Sequence, residues 1–386
     1  MERLQLTCEV VTPLFCAGAD QQMPEIRVPS IRGAMRFWFR ALHGAVVGDD
    51  IKALQQRESA VFGATEQASK VKVRVHSSQL PIGQFDFRES LRYMGYGLAE
   101  TRENPARRYI APGAKFSLEL LSLDTACLRQ AAVALCLFLN LGGMGARSRR
   151  GWGSLCATTE AGADVLKFVL PLGSGHKDRL QSMLRLARHS VVAVDRTPTD
   201  QSAEIPSYPT LLPGYWRMKL VSVNEQRQPF RNWQEALNWA GQRLRRFREA
   251  PSGELHKTRD GRFSYKVGRD YGQMKGVFAQ APADHVGPLS LPIFGLPIQY
   301  RFQSEGNQQA RVIAEHHDRR GSPLWVRAFK GASGVLLGFM LFKAQFLPDG
   351  ELLKLEGPRR TLTASQPDYS LLEEFLDSLP GEEITL

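Results

Sequence analysis

The sequence predicts an α+β protein of two domains, each an antiparallel sheet covered by helices on one face. Three observations predict it. The chain of 386 residues exceeds the roughly 100 to 200 residues of one ordinary domain. Hydrophobic residues at 43% and charged residues at 23% are the balance of a folded globular protein, not of a disordered or fibrous one. Segments of period two and period 3.6 then succeed one another in the order β, α, β, β, α, β over residues 1–160.

The first strand is Leu4 to Val11, which alternates loosely and stops at Thr12-Pro13. Ser30 is placed to cap the helix IRGAMRFWFRALHG, with Gly44 to end it. On a 100° wheel Ile31, Met35, Trp38, Phe39 and Leu42 form an apolar seam, and Arg32, Arg36, Arg40 and His43 form a basic stripe beside it. Lys70 to Val75 reads KVKVRV, a half-buried strand with one charged face. After a loop holding Arg102, Arg107 and Arg108, Lys115 to Leu123 reads as a strand and Asp124 to Leu141 as a buried helix capped by Asp124. The glycine-rich segment GGMGARSRRGWGS (Gly142 to Ser154) follows, and Leu155 to Thr158 closes the unit. This order matches the split β-α-β unit of a ferredoxin-like domain.

Residues 160–214 carry a helix at Asp178 to His189 and a proline-marked region around Pro198, Pro206, Pro209 and Pro213. The boundary between a domain of residues 1–160 and one of residues 161–386 is placed there. Beyond it, Tyr215 to Val223, Leu291 to Phe302, Pro323 to Lys330 and Val335 to Phe346 read as strands. Trp233 to Arg248 and Asp368 to Leu379 read as helices, and Glu249 to Arg262 as a polar, turn-rich loop. A second α+β domain of the same kind is the economical reading.

A formal charge of +11 favours capture of polyanions, and nucleic acid leads the list of partners, although a merely soluble basic protein would carry the same charge. Cys8, Cys16, Cys127, Cys136 and Cys156 are an odd set with no C-x-x-C pair, which argues against a zinc ribbon or a disulfide framework and fits a reducing cytoplasm. The apolar runs Ala131 to Leu141 and Val335 to Phe342 fall short of the about 20 residues a membrane span needs. No membrane segment and no cofactor are expected.

The glycine-rich segment is the strongest candidate site. Its glycines, Gly143, Gly145 and Gly151 among them, permit positive φ and close backbone approach to a ligand. Arg147, Arg149 and Arg150 supply ionic contacts to phosphate, and Trp152 offers a ring for base stacking. The segment lacks the Gly-Lys-Ser/Thr ending of a nucleotide-hydrolysing loop, and no acidic pair follows to hold magnesium. Arg32, Arg36 and Arg40 are a second, less specific candidate, because arginines on the outer face of an amphipathic helix are usually just solvated. Arg243, Arg245, Arg246 and Arg248 project around most of their helix and read as surface. No histidine falls in a metal-binding spacing. For an RNA-cleaving alternative, His43 beside the arginine stripe is the candidate general base, against the plainer role of a histidine at a helix end.

The run TPLFCAGADQQMPEIRVPSIRGAMRFWFRALHG (Thr12 to Gly44), followed by ESAVFGA (Glu58 to Ala64), resembles the N-terminal signature of the Cmr-type RAMP proteins. These are repeat-associated subunits of type III-B CRISPR effector complexes, and the chain is most similar to the subunit-one family. The segment Gly142 to Gly153 is similar to the glycine-rich loop of that superfamily. FGLPIQYRF (Phe294 to Phe302) and RRGSPLWVR (Arg319 to Arg327) resemble its C-terminal stretches. The resemblance implies two ferredoxin-like, RNA-recognition-like βαββαβ domains in tandem. It also implies a noncatalytic subunit near one end of the complex, holding the 3′ region of the guide RNA and its target RNA beside other Cmr subunits. Target cleavage and guide maturation belong to other proteins of such systems. By position, Ser30 to Gly33, Arg36 and Trp38 match the N-terminal motif and Gly143 to Gly151 the loop, which adds Trp38 to the RNA-binding candidates; no catalytic residue carries over. Two different roles stay open beside this one: a metal-independent endoribonuclease acting on CRISPR transcripts, and a scaffold that touches only sister subunits.

Overall fold

A computed structural model of the chain describes all residues except 21, 103, 163–174, 193–204, 250–254, 258–262, 266–268, 271–272, 275, 279–284, 303–305 and 333. The first half runs β1 (Glu2–Val10), α1 (Val28–Val47), α2 (Ile51–Phe62), β2 (Val71–His76), β3 (Ile82–Gln84), α3 (Glu89–Met94), β4 (Arg108–Ile110), β5 (Lys115–Ser122), α4 (Thr125–Leu141), β6 (Leu155–Gly162) and α5 (His176–Val192). The second half runs β7 (Trp216–Val221), α6 (Trp233–Arg248), β8 (Leu255–Lys257), β9 (Phe263–Tyr265), β10 (His285–Val286), β11 (Ile298–Phe302), β12 (Gln308–Ala314), β13 (Leu324–Lys330), β14 (Val335–Phe342), β15 (Leu353–Glu356), β16 (Thr361–Ala364), α7 (Ser370–Asp377) and β17 (Glu382–Ile384). No described helix is long and apolar enough to cross a membrane.

The described residues form two compact units. The first comprises Met1–Gly241, Trp325–Phe342 and Leu379–Leu386. It holds two four-stranded sheets, ordered β2-β5-β1-β6 and β13-β14-β7-β17. In the first sheet β1 pairs antiparallel with β5 and β6, and β2 antiparallel with β5. Alternation decides which face is buried: Leu4, Leu6 and Cys8 of β1 join Ile31, Met35, Trp38 and Phe39 of α1 and most of α4 in one core. Trp216, Met218, Met340, Phe342 and Ile384 belong to that same core. Helix α5, in the stretch where the sequence suggests a boundary, packs into that core through Leu180, Met183, Leu184, Ala187 and Val191.

The second unit comprises Gln242–Leu324 and Lys343–Ser378. Its five-stranded sheet is ordered β10-β16-β15-β12-β11 and buries Val312, Leu355 and Leu362. Asp270, buried there, accepts hydrogen bonds from the N–H groups of Ser290 and Leu291 at 2.9 and 2.8 Å.

The element boundaries depart from expectation in four places. Helix α1 starts at Val28 with Pro29 in its first turn, so Ser30 lies within the helix and is not its cap. It also passes through Gly44 to end at Gly48, whose φ is 65°. Gly44 is needed for packing instead, since a Cβ there would sit 2.5 Å from the Tyr208 ring. Helix α2 answers to no clear period in the sequence; Asp50 caps it through the Ala53 N–H, and its buried positions are few. Residues Leu291–Phe294 form a 3₁₀ turn and not the start of a strand, because Pro292 and Pro297 withhold donors on either side of Gly295. Asp124 caps α4 as expected, accepting from the Cys127 N–H at 3.0 Å. Pro198 and most of Glu249 to Arg262 lie outside the described residues, and Leu255–Lys257 within that loop pairs with β9.

Candidate nucleic-acid interface

The glycine-rich segment leaves α4 at Gly142 and re-enters the sheet at β6. Its shape is set by glycines in the left-handed region: φ is 84° at Gly145, 82° at Gly151 and 64° at Gly153. A Cβ on Gly153 would fall 1.9 Å from the Met144 carbonyl oxygen. The loop folds back on the Thr12 to Cys16 turn, with Gly153 N–H donating to Pro13 and Ala146 N–H to Phe15, at 3.0 and 2.8 Å. Thr12 Oγ1 donates to the Gly151 carbonyl at 2.7 Å and accepts from Ser154 N–H at 2.9 Å. Part of the backbone expected to cradle phosphate is thus committed to the fold, including the N–H groups of Gly142, Met144, Ala146, Arg150, Gly153 and Ser154.

A residue far away in sequence clamps the base of the loop. Arg327, only 3% exposed, donates through Nη1 to the Gly142 carbonyl and through Nη2 to those of Leu139 and Leu155. Burial pushes its pKa down to about 9, and the three carbonyl dipoles compensate the cation. The neighbouring Val326 N–H donates to the Arg149 carbonyl at 2.9 Å.

The structure separates the expected site residues into two groups. Arg147 is exposed at the loop tip, and Arg149 and Arg150 are half-buried beside it. Trp152 is 0% exposed, which corrects the expected base-stacking role: its ring lies flat on Phe87 at 5.5 Å and is enclosed by Phe15, Phe85 and Trp233. Trp38 is likewise buried, and its Nε1 takes the space a Cβ on Gly142 would need, so it too is a core residue and not an RNA contact. A third tryptophan at the loop is one to which no sequence motif assigns a role. Trp325, half-buried, carries the Arg149 guanidinium over its ring at 4.8 Å and stacks on Phe37 of α1 at 5.0 Å.

The basic stripe of α1 is not merely solvated. Arg36 and Arg40 both pair with Glu58 of α2, and Arg40 does so at 2.8 Å. Arg36 also donates to the Gly63 carbonyl and Arg32 to that of Phe62, at 3.0 and 2.9 Å. These bonds tie α2 to α1 at its carbonyl end, where cations are favoured. The three arginines, with Phe37, Ser59 and Tyr208, line a groove of about 940 Å³. Three guanidiniums against one carboxylate leave it cationic.

The open face of the first sheet carries Arg3, Gln5, Lys72, Arg74, Ser117 and Glu119; Arg3 pairs with Glu119 at 2.5 Å. His76 of β2 lies on the same face, 3.9 Å from Glu119, and is the one ring among these described side chains. His43, the candidate base of the cleavage alternative, is buried at 6% exposure with its ring on Phe39 at 3.8 Å, a packed position in the core.

Residues 7–156 match the RAMP superfamily. A Pyrococcus furiosus protein, CRISPR system Cmr subunit Cmr1-2, is 36% identical over 169 residues, which is 38% of this chain and 90% of the relative. The chain belongs to the Cmr1 family. A second relative from that organism, Cmr1-1, is 34% identical over 200 residues, spanning 50% of this chain and 58% of the relative. The crystal structure of Cmr1 from Pyrococcus furiosus superposes with a TM-score of 0.64 at 19% identity, covering 100% of this chain and 99% of that one. A chain of the type III-B Cmr-beta complex bound to cognate target RNA and AMPPnP superposes at 0.55 and 11% identity, covering 97% of this chain and 98% of that one. The superfamily match takes in α1, its arginine stripe and the loop, while Trp325 and Arg327, which complete the site, lie outside it.

Proposed function

We propose that this Cmr1-family chain is a noncatalytic RNA-binding subunit of a type III-B CRISPR effector complex, holding the 3′ region of a guide RNA paired with its target RNA. One observation carries the reading: Arg149 rides on Trp325, Trp325 stacks on Phe37, and Phe37 lines the groove with Arg32, Arg36 and Arg40. The loop and the helix stripe thereby form one cationic, aromatic track, the combination that follows a nucleic-acid backbone. Guide and target recognise each other by pairing, so the protein need read only backbone and shape. The two sheets of the first unit share one order of strands, each placing its first strand between its third and fourth. That repetition supports two ferredoxin-like βαββαβ units in tandem, with residues 242–324 and 343–378 interrupting the second in sequence. Sister subunits are the expected neighbours, and the cytoplasm the expected compartment.

Binding of single-stranded RNA by the full chain, measured across salt concentrations, tests the reading. Arg147/Arg149/Arg150→Ala is expected to lower affinity and to flatten the slope of log affinity against log salt by about 0.7 for each phosphate no longer neutralised. An unchanged affinity and slope would overturn it.

A further inference from the structure

The segment between β2 and β5 presents an exposed aromatic ring. Tyr96 is 67% exposed on a turn that follows α3. The turn is fixed from beneath: Gly95 N–H donates to Leu91, Leu98 N–H to Gly95 and Arg107 N–H to Leu98, each at 2.9 Å. A Cβ on Gly95 would lie 2.5 Å from the Phe85 ring, and Phe85 belongs to the aromatic cluster that encloses Trp152. The base of this turn and the base of the glycine-rich loop therefore share one rigid core.

Their tips meet as well. The Arg147 guanidinium carbon stands 6.0 Å from the centre of the Tyr96 ring. Gly97, next in the chain, has φ 83°, and a Cβ there would come within 3.3 Å of Arg147 Nη2. Position 97 thus keeps both the turn and the room for the guanidinium. Arg147 itself stands at φ 59°, a conformation that costs a non-glycine residue energy and that the surrounding fold enforces. A tyrosine has few rotatable bonds, so an exposed ring on a fixed turn loses little entropy when a flat partner settles on it.

We infer that Tyr96 and Arg147 form a stacking subsite for one unpaired base of single-stranded RNA, the ring taking the base and the guanidinium the adjoining phosphate. The inference rests on the reading of the glycine-rich loop as an RNA interface. It moves the stacking role from the buried Trp152 to an exposed residue that the sequence pattern does not single out.

The test uses the full chain and a fluorescein-labelled single-stranded oligoribonucleotide. Tyr96→Ala is expected to weaken binding about tenfold, the loss of one stacked base, without changing the salt slope, because no cation is removed. Tyr96→Phe keeps the ring and is expected to bind as wild type. Tyr96→Trp supplies a fluorescent ring whose emission is expected to be quenched by oligo(A). With circular dichroism unchanged, wild-type affinity in Tyr96→Ala together with weakened binding in Arg147/Arg149/Arg150→Ala overturns the subsite and leaves the RNA interface standing. Wild-type affinity and slope in both variants overturn the interface and the subsite together.

Discussion

The Arg149 guanidinium lies over the Trp325 ring at 4.8 Å, although the two stand 176 positions apart in the chain. Trp325→Ala removes the surface on which Arg149 and Phe37 both rest. It is expected to cost roughly 2 kcal/mol in urea unfolding, below the value for a fully buried tryptophan, and to lower RNA affinity. Trp325→Phe should recover most of both, as read by denaturation and by RNA titration.

Arg327→Met leaves the carbonyls of Leu139, Gly142 and Leu155 buried without their donor. A loss of roughly 3 kcal/mol is expected in chemical denaturation. Arg327→Lys should restore little of it, since a point ammonium does not reproduce a planar fork that serves three acceptors.

Glu58 is a buried carboxylate facing two partly exposed arginines. Glu58→Gln is expected to reduce stability by about 1 kcal/mol, the ion pairs being partly screened by solvent. With one negative charge gone from the groove, RNA affinity should rise and its salt dependence steepen. A fall in affinity would mean that the arginines serve α2 alone.

Two glycines should respond in opposite directions. Gly153→Ala meets the Met144 carbonyl at 1.9 Å in a left-handed conformation, and loss of cooperative folding in thermal melts is the expected result. Gly33, inside α1, has nothing within 4 Å of a built Cβ. Gly33→Ala should stabilise the helix by up to about 1 kcal/mol. Any accompanying drop in RNA affinity would show that the ligand approaches the backbone at this point.

Asp124, the cap of α4, is held down to about 2 from its ordinary 3.8, first by the Cys127 N–H and then by the Cys127 and Lys70 side chains. A depressed carboxylate stabilises the fold fully above the unfolded value, and that contribution is lost as pH falls through the folded one. Acid titration by circular dichroism should therefore show instability growing between pH 3.8 and about 2. Asp124→Asn, which retains a capping oxygen without the charge, should flatten that limb.

The strands and helices with clear periodicity were legible in the sequence: KVKVRV as a half-buried strand, the seam of α1, and α4 with its aspartate cap. Helix α2 was not, because only Leu54, Glu58, Val61 and Phe62 are buried in it and Glu58 masquerades as a surface residue until its arginine partners are known. The burial of the tryptophans at 38 and 152 is illegible for the opposite reason. Composition cannot distinguish an indole that stacks on a ligand from one enclosed by Phe85 and Phe87, and those phenylalanines come from a segment with no regular period. Trp325 and Arg327 were visible as residues, but a pairing that spans half the chain leaves no local pattern.

The clamp on the glycine-rich loop also bears on the order of synthesis. Thr12, Leu139, Gly142 and Leu155 emerge from the ribosome long before Arg327, and Lys330, which pairs with Glu9 of the first strand at 2.5 Å, comes later still. The Arg327 contacts to the loop base can form only once strand β13 has been made. A chain lacking residues from 325 onward would keep the bonds from the loop to Thr12, Pro13 and Phe15 but leave the carbonyls of Leu139, Gly142 and Leu155 without the Arg327 fork. The last contacts to close on the loop are thus made by residues near the end of the chain's first unit.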